Sequence, residues 1–291
     1  MNWNILFTLL LALGLGLLQG CLEWIPVSSE AFLMIYLIIF LKLDPLTCLA
    51  ISLFLHFSTM LTVILYFRYD FIGALKVLRS IFSTKKRDSK RNKTIFKLLV
   101  TSFIGSAISG GATYMFYTIL LKTINKAFLE AIGFLTLTLI GIAMIITGFL
   151  IKKQPTGLRS IEDVNNVDGL LGGLAQGLAV IPGISRSGIT LTTFLFRRFR
   201  KEDALTLSFL IYISAVILST SYYLIANNIA VVIQSVGILF FTVALVSTFI
   251  SSLMTMKSFI YLAKKLNFSR FLISIGVLIF ISNLLAIFLP R

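Results

Sequence analysis

From Ala204 to Met256 the chain carries no Asp, Glu, Lys or Arg. A helix crosses the hydrocarbon core of a bilayer in about 20 apolar residues. This stretch is too long for one crossing, and Asn227-Asn228 is the natural turn dividing it into two. Leu98–Leu121, Ala131–Ile151 and Phe271–Leu289 are also free of charge and long enough to span. Pro45–Phe67 is a sixth candidate, with His56 as its only titratable group. Composition agrees: 58% of residues are hydrophobic and 13% charged, against about 25% charged in an ordinary soluble domain. A soluble enzyme, a disordered chain and a disulfide scaffold are excluded. Cys21 and Cys48 lie in apolar segments without metal or redox spacing.

The remaining apolar segments are short or broken. Asn4–Ile25 is apolar until Glu23 and ends at Pro26. Ala31–Leu41 is too short to span, as are Leu170–Ile181, which stops at Pro182, and Ile189–Phe196. Each short pair flanks a Pro/Ser-rich turn, the pattern of a re-entrant hairpin. Irregular backbone at membrane depth is tolerated where it is buried in protein or lines a cavity. The expected fold is therefore an all-α polytopic membrane protein of about ten helices, six full spans plus two re-entrant pairs.

The formal charge of +15 tests that layout. With the first pair entering from outside, the inside loops are Arg68–Lys97, Lys152–Asp168, Arg197–Asp203 and Lys257–Arg270. They hold 10, 3, 4 and 4 basic residues, 21 of the 26 in the chain. Outside lie Lys42, Lys122, Lys126 and Arg291, and Arg186 is left within a re-entrant turn. The bias follows the positive-inside rule, so the charge marks topology rather than nucleic-acid binding. Residues 68–97 read as a basic cytoplasmic loop.

The chain repeats itself. Gln19-Gly20 followed by Ile25-Pro26-Val27-Ser28-Ser29 resembles Gln176-Gly177 followed by Ile181-Pro182-Gly183-Ile184-Ser185. Pro26/Pro182, Ser29/Ser185, Ser52/Ser208 and Ser58/Ser214 share one offset of 156, and the Gln-Gly pair is one residue out of register. Residues 1–126 and 157–291 are the two halves of one membrane domain. An odd number of crossings in each half inverts the second, the arrangement that brings broken-helix tips together near mid-membrane.

Those tips hold the unexpected charges. Glu23, Ser28, Ser29 and Glu30 belong to the first, and Ser185, Arg186 and Ser187 to the second, with Thr190 one turn on. An intramembrane charge costs roughly 2.5–3.5 kcal/mol on insertion scales. Two acids and an arginine converging on a cavity suit a phosphate together with a divalent cation. Pro182-Gly183-Ile184-Ser185-Arg186-Ser187-Gly188 opens a short helix whose N–H groups make an anion site, and Arg186 adds a planar donor fork. The serines also suit helix caps, the charges a structural ion pair, and Gln19 and Gln176 the satisfaction of broken backbone. A Ser hydroxyl beside a carboxylate can accept a phosphoryl group. His56 suits either packing or general acid/base chemistry.

The run Gln19-Gly20-Cys21-Leu22-Glu23-Trp24-Ile25-Pro26-Val27-Ser28-Ser29 resembles the first signature of the undecaprenyl-diphosphate phosphatases, the bacitracin-resistance family. The Pro182–Gly188 run resembles their second. The resemblance covers essentially the whole chain. It implies a hydrolase of the cell membrane that removes the terminal phosphate of a polyprenyl diphosphate and so regenerates a lipid carrier. It also implies a divalent cation, Mg²⁺ or Ca²⁺, and a site open to the extracytoplasmic side. On this reading Ser29 is the nucleophile, with Glu23 and His56 in catalysis. Arg186, Ser28, Gln176, Gly183, Ser185, Ser187 and Thr190 bind substrate, and Glu23, Glu30 and Gln19 hold the metal. The family's first acid is Gln19 here and its histidine is absent, so Glu30 and His56 are the expected replacements. The departures resemble a divergent, archaeal branch with a dolichyl-type carrier. The rival function is a lipid-carrier flippase. The partners expected are the lipid substrate and membrane lipids, with no nucleic acid and the oligomeric state open.

Overall fold

The computed structural model describes residues 3–25, 29–81, 89–123, 157–180, 185–226, 229–265 and 267–288, with scattered helical positions between 138 and 152. The first half holds α1 (Trp3–Leu22), α2 (Ser29–Leu41), α3 (Pro45–Tyr66), α4 (Arg68–Ile81) and α5 (Lys90–Thr123). The second holds α6 (Asn166–Gly177), α7 (Arg186–Phe196), α8 (Lys201–Ala226), α9 (Ile229–Val236), α10 (Ile238–Lys265) and α11 (Phe268–Phe288). No strand occurs among the described residues. Among the described residues five helices, α1, α3, α5, α8 and α10, are long and apolar enough to cross a membrane. The chain is an all-α polytopic membrane protein.

Three of the four expected half-helices are short: α2 has 13 residues, α6 12 and α7 11. The exception is α1, whose 20 residues suffice for a crossing. The apolar run before Glu23 gives no reason to break earlier. Two further expectations change. Residues 68–97 are not one loop, because α4 and the start of α5 fill most of them. Gly73, Ala74 and Val77 of α4 are buried, a helical spacing that the basic residues of the segment obscured. The stretch after Asn228 is not one span either. Gly237, at φ +84°, turns the chain between α9 and α10, in a conformation that glycine adopts without steric cost. Asn227-Asn228 and most of Ala131–Ile151 lie outside the described residues.

The helices exchange partners between the halves. The two tightest pairs are α5 on α6 and α1 on α10, each joining one half to the other. Both run on small residues, which let helix backbones approach closely in a membrane. A Cβ at Gly20 would meet the Ser252 backbone nitrogen at 2.6 Å, and one at Gly173 the Ser102 carbonyl at 2.2 Å. Ser251 and Thr255 of α10 donate to the carbonyls of Gly16 and Gly20. α1 and α6 are the first described α-helix of each half and α5 and α10 the fifth, so the two contacts match in element order.

Packing then fixes the tips. Trp24 is buried, edge-on to Phe209 (5.2 Å between centroids) and Tyr212 (6.1 Å), and its indole N–H donates to the Ser252 carbonyl at 3.1 Å. It ties the end of α1 to α8 and α10. At the other end of the second hairpin, the buried carboxylate of Asp168 accepts from Arg159, from Arg197 Nε (2.7 Å) and from the Asn165 N–H (2.9 Å). Burial opposes ionisation of Asp168, but the two guanidiniums and that N–H outweigh it and hold the carboxyl below its usual range. The start of α6 is thereby bound to the end of α7. The close packing makes a paired prediction. Gly173→Ala forces backbone apart and should destabilise by about 1–3 kcal/mol. Gly111→Ala, where nothing lies within 4 Å, should be neutral or slightly stabilising. Thermal unfolding in one detergent checks both, and equal shifts would contradict the packing described.

Candidate active site at the two tips

The tip of the first half is built on the end of α1 and the start of α2. Glu23 follows the last turn of α1, its N–H bonded to the Gln19 carbonyl at 3.0 Å. Ser29 opens α2. His56 lies midway along α3 and Arg186 is the first residue of α7. The short α7 begins there because Ser185, in an extended conformation, accepts the Gly188 N–H at 3.2 Å. That is the N-cap arrangement.

Glu23 is the hub. Its Oε2 accepts from Gln19 Nε2 at 2.9 Å and from the Ser29 hydroxyl at 3.0 Å, and lies 3.2 Å from His56 Nε2. Its Oε1 accepts from Arg186 at 2.6 Å. The carboxylate is 4% exposed, so its charge is matched by buried donors rather than water. His56 Nδ1 lies 2.7 Å from the Ser52 carbonyl. A carbonyl only accepts, so Nδ1 carries a proton and Nε2 is the nitrogen turned to Glu23. A single proton then bridges Nε2 and Oε2, because two bare acceptors at that distance would repel.

Arg186 completes the centre. Besides Glu23, it donates weakly to the Ser208 carbonyl at 3.4 Å, and its guanidinium carbon sits 3.8 Å above the centre of the Tyr212 ring. Among the described residues its Nε is buried without a hydrogen-bond partner, as is Gln19 Oε1. A buried polar atom left unpaired carries a desolvation cost of roughly 1–3 kcal/mol, so these two are candidate contacts for a polar ligand.

The structure brings together Gln19, Glu23, Ser29, His56 and Arg186. Glu30 is half-buried and within electrostatic reach of Glu23 and His56. Ser187 donates to the Ile25 carbonyl at 3.1 Å, stitching one tip to the other. Thr190 backs the site, bonded to the Arg186 carbonyl at 2.9 Å and to the Ser208 hydroxyl at 2.6 Å. Gln176 stands apart from the hub: its amide nitrogen bonds Ser106, Ser214 and the Ile211 carbonyl. It clamps α5, α6 and α8 through two serine hydroxyls and a carbonyl of the unbroken α8. Ser28 and Gly183 lie outside the described residues. Tyr212 was missed by sequence reasoning, although His56 and Tyr212 are 156 apart, the offset of the repeat.

Two tips from opposite halves, with His56 of α3, thus bring a carboxylate, a hydroxyl, an imidazole and an arginine into one buried cluster. The family model of the bacitracin resistance protein BacA matches residues 12–279, a range that includes both tips. The chain belongs to this family. Its relatives include the undecaprenyl-diphosphatase of Methanothrix thermoacetophila, 34% identical over 267 residues, which are 92% of this chain and 94% of that protein. That of Methanococcoides burtonii is 34% identical over 272 residues, 92% and 95% of the two chains. Undecaprenyl-diphosphatase 1 of the bacterium Shouchella clausii is 32% identical over 280 residues, 94% and 96%.

The hub makes a ranked prediction for stability. Glu23→Ala leaves Arg186 a buried cation without its counter-charge, which should cost on the order of 3 kcal/mol. Ser29→Ala removes one hydroxyl and should cost about 1 kcal/mol. Unfolding of the purified variants measures both, and equal losses would contradict the hub role of Glu23.

Proposed function

We propose that the chain is a membrane phosphatase that hydrolyses undecaprenyl-type or other polyprenyl diphosphates to the monophosphate and inorganic phosphate, recycling a lipid carrier. The observation that carries this reading is the Ser29–Glu23–Arg186 arrangement, within a family whose relatives bear the name undecaprenyl-diphosphatase. Nothing in the comparisons favours the flippase alternative.

The residues divide the work as follows. The diphosphate is an anion and competes with Glu23 for Arg186, whose unpaired Nε–H offers a first hydrogen bond. Release of Glu23 Oε1 leaves the carboxylate free to act as base. Ser29 Oγ attacks the terminal phosphorus and passes its proton to Glu23 Oε2, 3.0 Å away. The bond from that phosphorus to the bridging oxygen breaks, and the lipid monophosphate departs. Water then attacks the phosphoserine, regenerating Ser29 and releasing inorganic phosphate. The proton that His56 Nε2 shares with the same carboxylate oxygen goes to the leaving oxygen, and the proton taken from Ser29 replaces it between the two groups. The N–H groups opening α7 add to the anion site.

The oxygens that would hold a divalent cation are Gln19 Oε1, buried without a hydrogen-bond partner among the described residues, and the carboxylates of Glu23 and of Glu30, which lies within its electrostatic reach. Hard cations such as Mg²⁺ and Ca²⁺ take oxygen ligands of this kind. When bound between Glu23, Glu30 and Gln19, the ion would neutralise phosphate charge. The site opens toward the extracytoplasmic side of the cell membrane if the basic segments about α4, α7 and α10 face the cytoplasm. The carrier's chain length follows from the lipid with the highest kcat/KM.

Detergent-purified protein should release phosphate from farnesyl diphosphate when Mg²⁺ or Ca²⁺ is supplied. Arg186→Ala should lower kcat/KM by about 10²-fold or more, as loss of a buried charge-assisted contact does. His56→Ala should lower kcat by roughly 10²-fold, the small end of general acid/base effects, and alter the pH–rate profile. No phosphate release by wild-type protein with either cation would overturn the function, and wild-type rates in Arg186→Ala would overturn the site.

A further inference from the structure

Arg186 is held by something no motif marks. The Tyr212 ring lies beneath its guanidinium at 3.8 Å, and Tyr212 is 2% exposed. The tyrosine is itself anchored in the other half of the molecule. Its hydroxyl donates to Thr59 Oγ1 at 2.7 Å and lies 3.3 Å from the His56 carbonyl, both on α3. Thr59 in turn donates to the same carbonyl at 2.9 Å. The ring edge packs on Trp24, so it cannot slide. One aromatic side chain of α8 therefore touches the guanidinium with its face and the His56 backbone with its tip.

An aromatic face has a consequence that a hydrogen-bonding anchor would lack. It attracts a guanidinium electrostatically without using any N–H. Of the five donors of Arg186, the hydrogen bonds to Glu23 and to the Ser208 carbonyl engage two. The Nε–H remains open in a buried position. A carboxylate in place of the ring would form a second ion pair and close those donors. An aliphatic residue would let the fork swing flat onto Glu23 as a bidentate pair.

We infer that Tyr212 is a positioning residue for diphosphate binding. Its ring fixes the plane of the Arg186 guanidinium and keeps the Nε–H open. This deepens the phosphatase reading and rests on it for the identity of the ligand. Because Arg186 grips the diphosphate before and during phosphoryl transfer, loss of its pose appears mainly in KM.

The test uses full-length protein in detergent, with inorganic pyrophosphate as a binding probe by calorimetry and farnesyl diphosphate as substrate. Tyr212→Leu should raise KM and the pyrophosphate Kd roughly tenfold or more, the range of a desolvated cation–π contact, with a smaller change in kcat. Tyr212→Phe keeps the face and should stay within about threefold of wild type in both constants. Should Tyr212→Leu fail to fold, progressively fluorinated phenylalanines at 212 keep the shape and drain the ring face of charge. Affinity should then fall step by step with fluorination. Equal losses in the Phe and Leu variants, or an affinity indifferent to fluorination, would overturn the inference. Pyrophosphate binding by wild-type protein that cleaves no lipid diphosphate would instead count against the phosphatase reading, leaving the ring test intact.

Discussion

A buried ion pair between Glu23 and Arg186, 2.6 Å long and 163 residues apart in sequence, is the contact on which this structure turns. Neither charge is stable alone at that depth. Each is tolerable because the other half of the chain supplies its partner, so the fold must deliver both tips to one place. The exchange of α5 onto α6 and of α1 onto α10 does this, and the glycine contacts set how closely the halves meet. A buried pair is weak evidence for stability as such. Here its partners include a hydroxyl, an imidazole and unpaired polar atoms, the equipment of a site rather than of a brace.

The repeat has two halves but one catalytic set. His56 and Tyr212 occupy equivalent positions and lie 6.5 Å apart between ring centres. One supplies an ionisable ring beside Glu23, and the other an aromatic face beneath Arg186. Glu30 and Arg186 are likewise equivalent positions with opposite charge. The acids and the imidazole of the candidate site stand in the first half, and its arginine in the second. The bond of Gln19 is to Glu23, whereas Gln176 clamps helices, which is the same asymmetry at a third pair.

Much of this was legible in the sequence because membranes impose simple rules. Charge-free lengths marked α3, α5, α8 and α10 as spanning, and the offset of 156 paired His56 with Tyr212, which lie close together. The cost of intramembrane charge singled out Glu23, Glu30 and Arg186, and a lone histidine in a span marked His56. Offset arithmetic pairs equivalent positions, however, and equivalent positions need not touch. Arg186 reaches Glu23, whose arrival at the tip depends on the turn after α1. The Gly237 break and the helical α4 were hidden because apolar and basic runs look alike whether or not the backbone bends. Tyr212 was hidden because a tyrosine in an apolar span reads as packing until its neighbours are known.

The central claim, that Glu23 and Arg186 act as one unit across the repeat, is tested most directly by a double-mutant cycle. Glu23→Gln, Arg186→Gln and the double variant are compared for phosphate release from farnesyl diphosphate. Coupled residues are grossly non-additive. The account predicts that the double variant is only about as slow as the worse single variant, an interaction on the order of 2 kcal/mol. Losses that simply multiply would show that the two charges act independently, and would contradict it.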